Sequence, residues 1–143
     1  MSTIFMNHKL AQMGFAAGNH GVVDYDTDTL QVALIDTGTN DPDYTVDQDW
    51  TDVVSGLIGA LTSLASLTEV GSAPNVDLDA ADTTISSVSG ASAEELVLIM
   101  WSGANGTSPL LSQWDSGDVT NLPVTPNGGD ITVVWNASGI MRF

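Results

Sequence analysis

At 143 residues, with 43% hydrophobic and 14% charged side chains, the chain has the length and composition of a single folded domain, residues 1–143, and not of a disordered segment. Eighteen carboxylates stand against two bases, Lys9 and Arg142, and the formal charge of −16 argues against direct nucleic-acid binding and a polybasic membrane clamp, both of which need clustered Lys and Arg. Without Cys there is no disulfide, thiolate metal site or Cys nucleophile, and no apolar run reaches the length of a bilayer span.

Residues 7–18 predict one short helix: Asn7 can cap its first turn, Leu10, Met13 and Ala17 share a face, and Gly18 suits the C′ position. The sequence Thr29–Ile35 alternates, with Leu30, Val32 and Leu34 on one side, and predicts a half-buried strand. Residues 36–56 form an acidic loop that ends in a helical turn near Trp50–Val54. The stretch 56–70 fits two patterns. Leu57, Ile58, Leu61, Leu64 and Ala65 make a helical stripe, whereas residues 64–70 are rich in strand formers, so the second half is read as strand.

Further on, strands are expected over 83–88, 95–101, 109–115, 131–135 and 140–143, separated by turns at Ser89-Gly90, Asn105-Gly106, 127–130 and 136–139. The run Glu95–Trp101 is almost continuously apolar, as in a central strand covered on both faces. Strands joined by turns after one N-terminal helix predict a mainly β fold, an antiparallel β-sandwich, with Leu96, Leu98, Ile131, Val133 and Trp135 in its core.

Asp24, Asp26 and Asp28 begin like a calcium loop, but Thr29 and Ile35 stand where an EF-hand needs Gly and Glu, so a solvated acidic turn is the plainer reading. His8 and His20 flank the predicted helix without sharing a face. No Gly-x-Ser-x-Gly elbow occurs, and pairs such as Asp77/Asp79 or Glu94/Glu95 arise by chance among so many acids. The sequence therefore points to no enzyme and no cofactor. Trp50, in the acidic loop, is the better surface candidate for stacking on a sugar, whereas Trp101 and Trp135 sit in strand patterns.

The ordered series Asp79-Ala-Ala-Asp82, Thr84–Gly90, Ala93–Ile99, Thr107–Leu111, Leu122–Ile131 and Trp135 resembles a family of small virion structural proteins of tailed bacteriophages, with Leu122–Ile131 the most specific segment. Residues 7–36 resemble the family loosely, and 37–75 offer nothing to match. The resemblance implies a capsid decoration (cement) protein on the head exterior, made in the bacterial cytoplasm, with the major capsid protein as partner and a homotrimer as its form. Tail or neck components are the nearest competitor. A glycan- or cell-surface-binding module built on Trp50 and the loops is a different class of reading, and an acidic DNA mimic a third. For the subunit or capsid contact the candidates are Ile4, Phe5 and Met6 with Leu57, Ile58 and Leu61, and their packing inside the subunit's own core is an equal alternative.

Overall fold

The computed structural model describes residues 3–5, 23–25, 27–70 and 77–142; the helix expected over 7–18, together with Met6, His8, His20 and Asp26, lies outside the described residues. Strands β1 (Thr3–Ile4), β2 (Leu30–Ile35), β3 (Leu57–Ser63), β7 (Glu95–Met100) and β8 (Leu110–Trp114) form an antiparallel five-stranded sheet in the order β1-β8-β7-β2-β3. Two smaller antiparallel sheets complete the fold. One is β4 (Thr68–Val70), β5 (Asp77–Asp79) and β10 (Met141–Arg142) in the order β10-β5-β4, and the other pairs β6 (Thr83–Ile85) with β9 (Ile131–Val133).

The fold is the expected antiparallel sandwich, and its core has two parts. Leu30, Val32 and Leu34 of β2, Leu96 and Leu98 of β7 and Trp114 of β8 pack with Leu78, Ile85, Val133 and Met141 from the small sheets. The opposite face of the large sheet carries Ala33, Ile35, Val97, Ile99 and Leu110, buried beneath Phe5, Trp50 and Val53. Strand β7 is thus covered on both sides, as its unbroken apolar run requires. Strand β2 is covered on both sides as well, and is not half-buried as its alternation suggests. A single helical turn, α1 (Trp50–Val53), together with Phe5, closes the face that Ala33 and Ile35 occupy.

That turn forms where expected. Asp52 accepts from the N–H groups of Gln48 (2.9 Å) and Asp49 (3.1 Å), capping the start of the turn. Trp50 N–H donates to Ser108 O (2.8 Å) and Leu110 N–H to Gln48 O (3.0 Å), which pins α1 to the start of β8. The first half of 56–70, in contrast, is strand and not helix. Thr62 pairs with Val32 and Ile58 with Leu34, so three residues of β3 lie opposite the single Ala33. This bulge includes Gly59 at φ 74°, a left-handed conformation that favours glycine. The extra residues shift Ile58 and Leu61 into a spacing that imitates a helix.

Strands β6 and β9 stop short of their expected ends, and beyond each a side chain takes over a backbone bond. Past β6, Ser87 turns at φ 52° and gives its N–H to Asp130 Oδ1 (2.9 Å). Past β9, Trp135 N–H donates to Asp82 Oδ1 (3.0 Å). Ile131 and Trp135 are half-buried, packed against the core that holds Leu96, Leu98 and Val133.

Leu98 is 0% exposed at the centre of the main core. Leu98→Ala is expected to cost about 2–5 kcal/mol in urea unfolding, the range for truncating a buried Leu. A loss below about 1 kcal/mol would contradict this placement of β7.

Candidate functional site

The carboxylates show first what the acidic surface is made of. In the Asp24–Asp28 turn, Asp28 Oδ2 accepts from Asp24 N–H (2.9 Å) while Asp28 N–H donates to Asp24 O (2.8 Å). Asp28 is therefore engaged inside the turn. Asp36 accepts from Gly38 N–H and Thr39 Oγ1, Asp43 from Thr45 N–H and Oγ1, and Asp115 from Gly117 N–H. The bonds from Thr45 hold Asp43 below the ordinary carboxylate range, whereas burial pushes Asp47 above it. Among the described residues no three His, Asp or Glu side chains converge as metal ligands would.

The two pairs that could be drawn as catalytic dyads are divided between separate structural tasks. Asp77 forms a two-point ion pair with Arg142, Nε to Oδ1 at 2.7 Å and Nη2 to Oδ2 at 2.9 Å, while Asp79 Oδ1 accepts from Ala80 N–H. The guanidinium holds the Asp77 carboxyl below its ordinary value. Glu94 Oε2 accepts from Thr37 N–H (3.1 Å). Glu95, opposite Ile35 at the end of β7, has Oε2 buried with no hydrogen-bond partner among the described residues. Burial, followed by the negative charges of Asp41, Asp115 and Glu94, pushes Glu95 up to about 7.

The tryptophans fall differently from their sequence contexts. Trp50 is 2% exposed and belongs to the second core, so the loop-borne sugar platform expected there is not formed. Phe5 is likewise fully buried in the subunit's own core, while Ile4 lies in β1 opposite Ser112. Leu57, Ile58 and Leu61 lie half-buried along β3, the edge strand of the large sheet, which carries no charged residue. Asn105 opens a short 3₁₀ turn, and Asn136 Oδ1 accepts from Ser138 N–H (2.9 Å), so both act as turn residues.

A concavity lies where the strand pattern of the sequence gives little hint of one. A cleft of about 700 Å³ opens between the 118–124 segment and the 130–140 segment, with Leu34, Leu96 and Trp114 at its floor. Trp135 lies against Trp114 with ring centroids 5.8 Å apart and planes tilted by 54°, and its indole N–H donates to Thr83 Oγ1 (3.2 Å). The cleft walls are fixed from behind by backbone bonds. Ala93 and Val124 exchange N–H···O bonds of 2.9 Å, Val88 N–H donates to Gly129 O (2.8 Å), and Gly128 N–H returns to Val88 O (2.8 Å). Segment 122–131 is thereby sewn as a strap onto 87–93. The sequence signal that could have found the cleft was Trp135 itself, a tryptophan two residues beyond the last paired position of its strand.

Compared with known proteins, the sequence matches no protein-family model and no curated protein.

Two predictions follow from the charges. A carboxyl raised in the folded state stabilises the fold fully below its unfolded value near 4.5, and this contribution is lost as pH rises through about 7. Glu95→Gln should therefore flatten the stability curve between pH 5 and 8 and exceed the parent at pH 8 in urea midpoint. Parallel curves for the two proteins would show that Glu95 does not bind its proton this way. Separately, monovalent salt should raise the melting temperature by screening self-repulsion, with millimolar calcium adding little beyond its ionic strength. A saturable calcium effect reversed by chelator would instead make the Asp24–Asp28 turn a metal site.

Proposed function

We propose that this chain is a non-enzymatic structural protein of a tailed-bacteriophage particle, a decoration (cement) protein that sits as a trimer on the head exterior and binds the major capsid protein. The observation that carries the reading is the strap. The segments in which the sequence resembles phage virion proteins include both partners of this contact, Ser87–Gly90 and Ala93 on one side and Val124–Asp130 on the other. The most specific part of the resemblance thus helps to fasten a β body together, which supports a structural role. A rigid sandwich with an acidic coat suits a shell-bound role, because like-charged surfaces keep particles apart in suspension.

Shell contact is assigned to the outer edge of β3, uncharged and without a partner strand among the described residues, where a −16 chain can be approached at least electrostatic cost. Closed three-fold symmetry would stop such contacts from propagating into filaments.

Mass spectrometry of purified particles tests the assignment. Abundance near that of the major capsid protein is expected. A few copies per particle would move the protein to the tail or neck, and absence would overturn a virion role. Ala60→Arg, at an exposed position of β3, should abolish rebinding to stripped particles while leaving the fold intact by circular dichroism. Unchanged rebinding would remove β3 from the contact.

A further inference from the structure

We propose that the cleft between the 118–124 and 130–140 segments is a binding site for a neutral saccharide. The inference is independent of where the protein sits on a particle. A volume of about 700 Å³ is within the ~300–1,000 Å³ usual for small-ligand sites. The cleft is also preformed: its walls are held by the Ala93–Val124 exchange, the Ser87–Asp130 bond and the Asp82–Trp135 bond, none of which a ligand would have to supply. A site that needs no ordering on binding loses less affinity to conformational entropy.

The chemistry of the lining selects among ligand classes by elimination. Asp118 and Asp130 line the cleft and, among the described residues, no Lys or Arg does, while Arg142, the one described base, is held by Asp77. Phosphates, sulfates, carboxylates and sialylated sugars would thus meet like charge without a counter-charge. The two indoles lie 5.8 Å apart and pack on each other, so they form no aromatic cage of the kind that selects an organic cation. A purely apolar ligand would cover the side chains of Thr120 and Asn121 without offering them a hydrogen bond.

A neutral sugar satisfies each of these conditions. Because the Trp135 N–H is already bonded to Thr83, the ring has only apolar surface left to offer, which suits the C–H face of a pyranose. The hydroxyls and amides of the rim can then exchange hydrogen bonds with sugar hydroxyls. The arrangement has the usual build of a small-ligand site, an apolar floor with a few polar groups at its margin.

The test is an array of neutral gluco-, manno- and galacto-configured oligosaccharides printed beside sialylated and sulfated ones, probed with the purified full chain. Retention on neutral spots and none on the anionic spots is expected. Trp135→Ala should weaken it at least tenfold. Thr120→Arg, an exposed wall position that blocks the cleft without touching the core, should do the same and keeps the test valid if Trp135→Ala fails to fold. Val46→Ser, far from the cleft in sequence and 66% exposed, should leave binding unchanged. A blank array, retention confined to anionic glycans, or neutral-glycan binding that survives Thr120→Arg would each overturn the proposal.

Discussion

A carboxylate that has no cation to pair with still needs a donor, and in this chain the donors are backbone N–H groups. With two bases for eighteen acids, ion pairing can serve very few of them, and Arg142 is committed to Asp77. Asp28, Asp36, Asp43, Asp47, Asp52, Asp115 and Glu94 instead accept from main-chain N–H groups at turns and loop starts. Such bonds are stronger than neutral ones and satisfy the very groups that a turn leaves unpaired. The acid surplus and the turn-rich β architecture are therefore one solution. A long-helix fold would leave fewer free N–H groups to receive these charges.

The same economy extends to the larger connections. Asp130 holds the strap against Ser87, and Asp82 holds the end of β9 through Trp135 N–H. Both carboxylates join segments distant in sequence, and both border the cleft or its walls. Glu95 is the exception. Its Oε2 is buried without a donor among the described residues, and neighbouring acids add to the penalty of ionising it. Where most of the carboxylates named here accept from a backbone N–H or an arginine, burial favours the protonated form of Glu95.

What the sequence discloses depends on whether spacing survives the backbone. The run Glu95–Met100 is legible because β7 is regular along most of its length and apolar on both faces. The β3 region is not, because a bulge opposite Ala33 displaces Ile58 and Leu61 from period two into an apparent helical stripe. Alternation in β2 is misread for another reason. Gln31 occupies the same side as Ala33 and Ile35, reaching Ser63 at the sheet edge, so a buried face looks polar at its first position. Trp50 misleads through its acidic neighbours, since a helical turn can bury one residue while exposing the next: Thr51 and Asp52 are exposed and Trp50 is not. Beyond Trp135 the cleft has no linear signature, as its floor and walls come from β2, β7, β8, the 118–124 segment and the chain around β9.

The placement of β2 between β3 and β7 also bears on how the chain is made. Leu30–Ile35 leaves the ribosome well ahead of Glu95–Met100, and at about 5–20 residues per second the wait lasts several seconds. Pairing with β3 can close one edge in the meantime, but the edge destined for β7 stays open and apolar. On a polysome such an edge is a template for pairing between nascent chains. The residues that follow β2 directly are Asp36 and then Asp41, Asp43, Asp47, Asp49 and Asp52. Before any of them caps a finished turn, they place negative charge beside an unpaired strand, as gatekeeper residues that oppose aggregation commonly do.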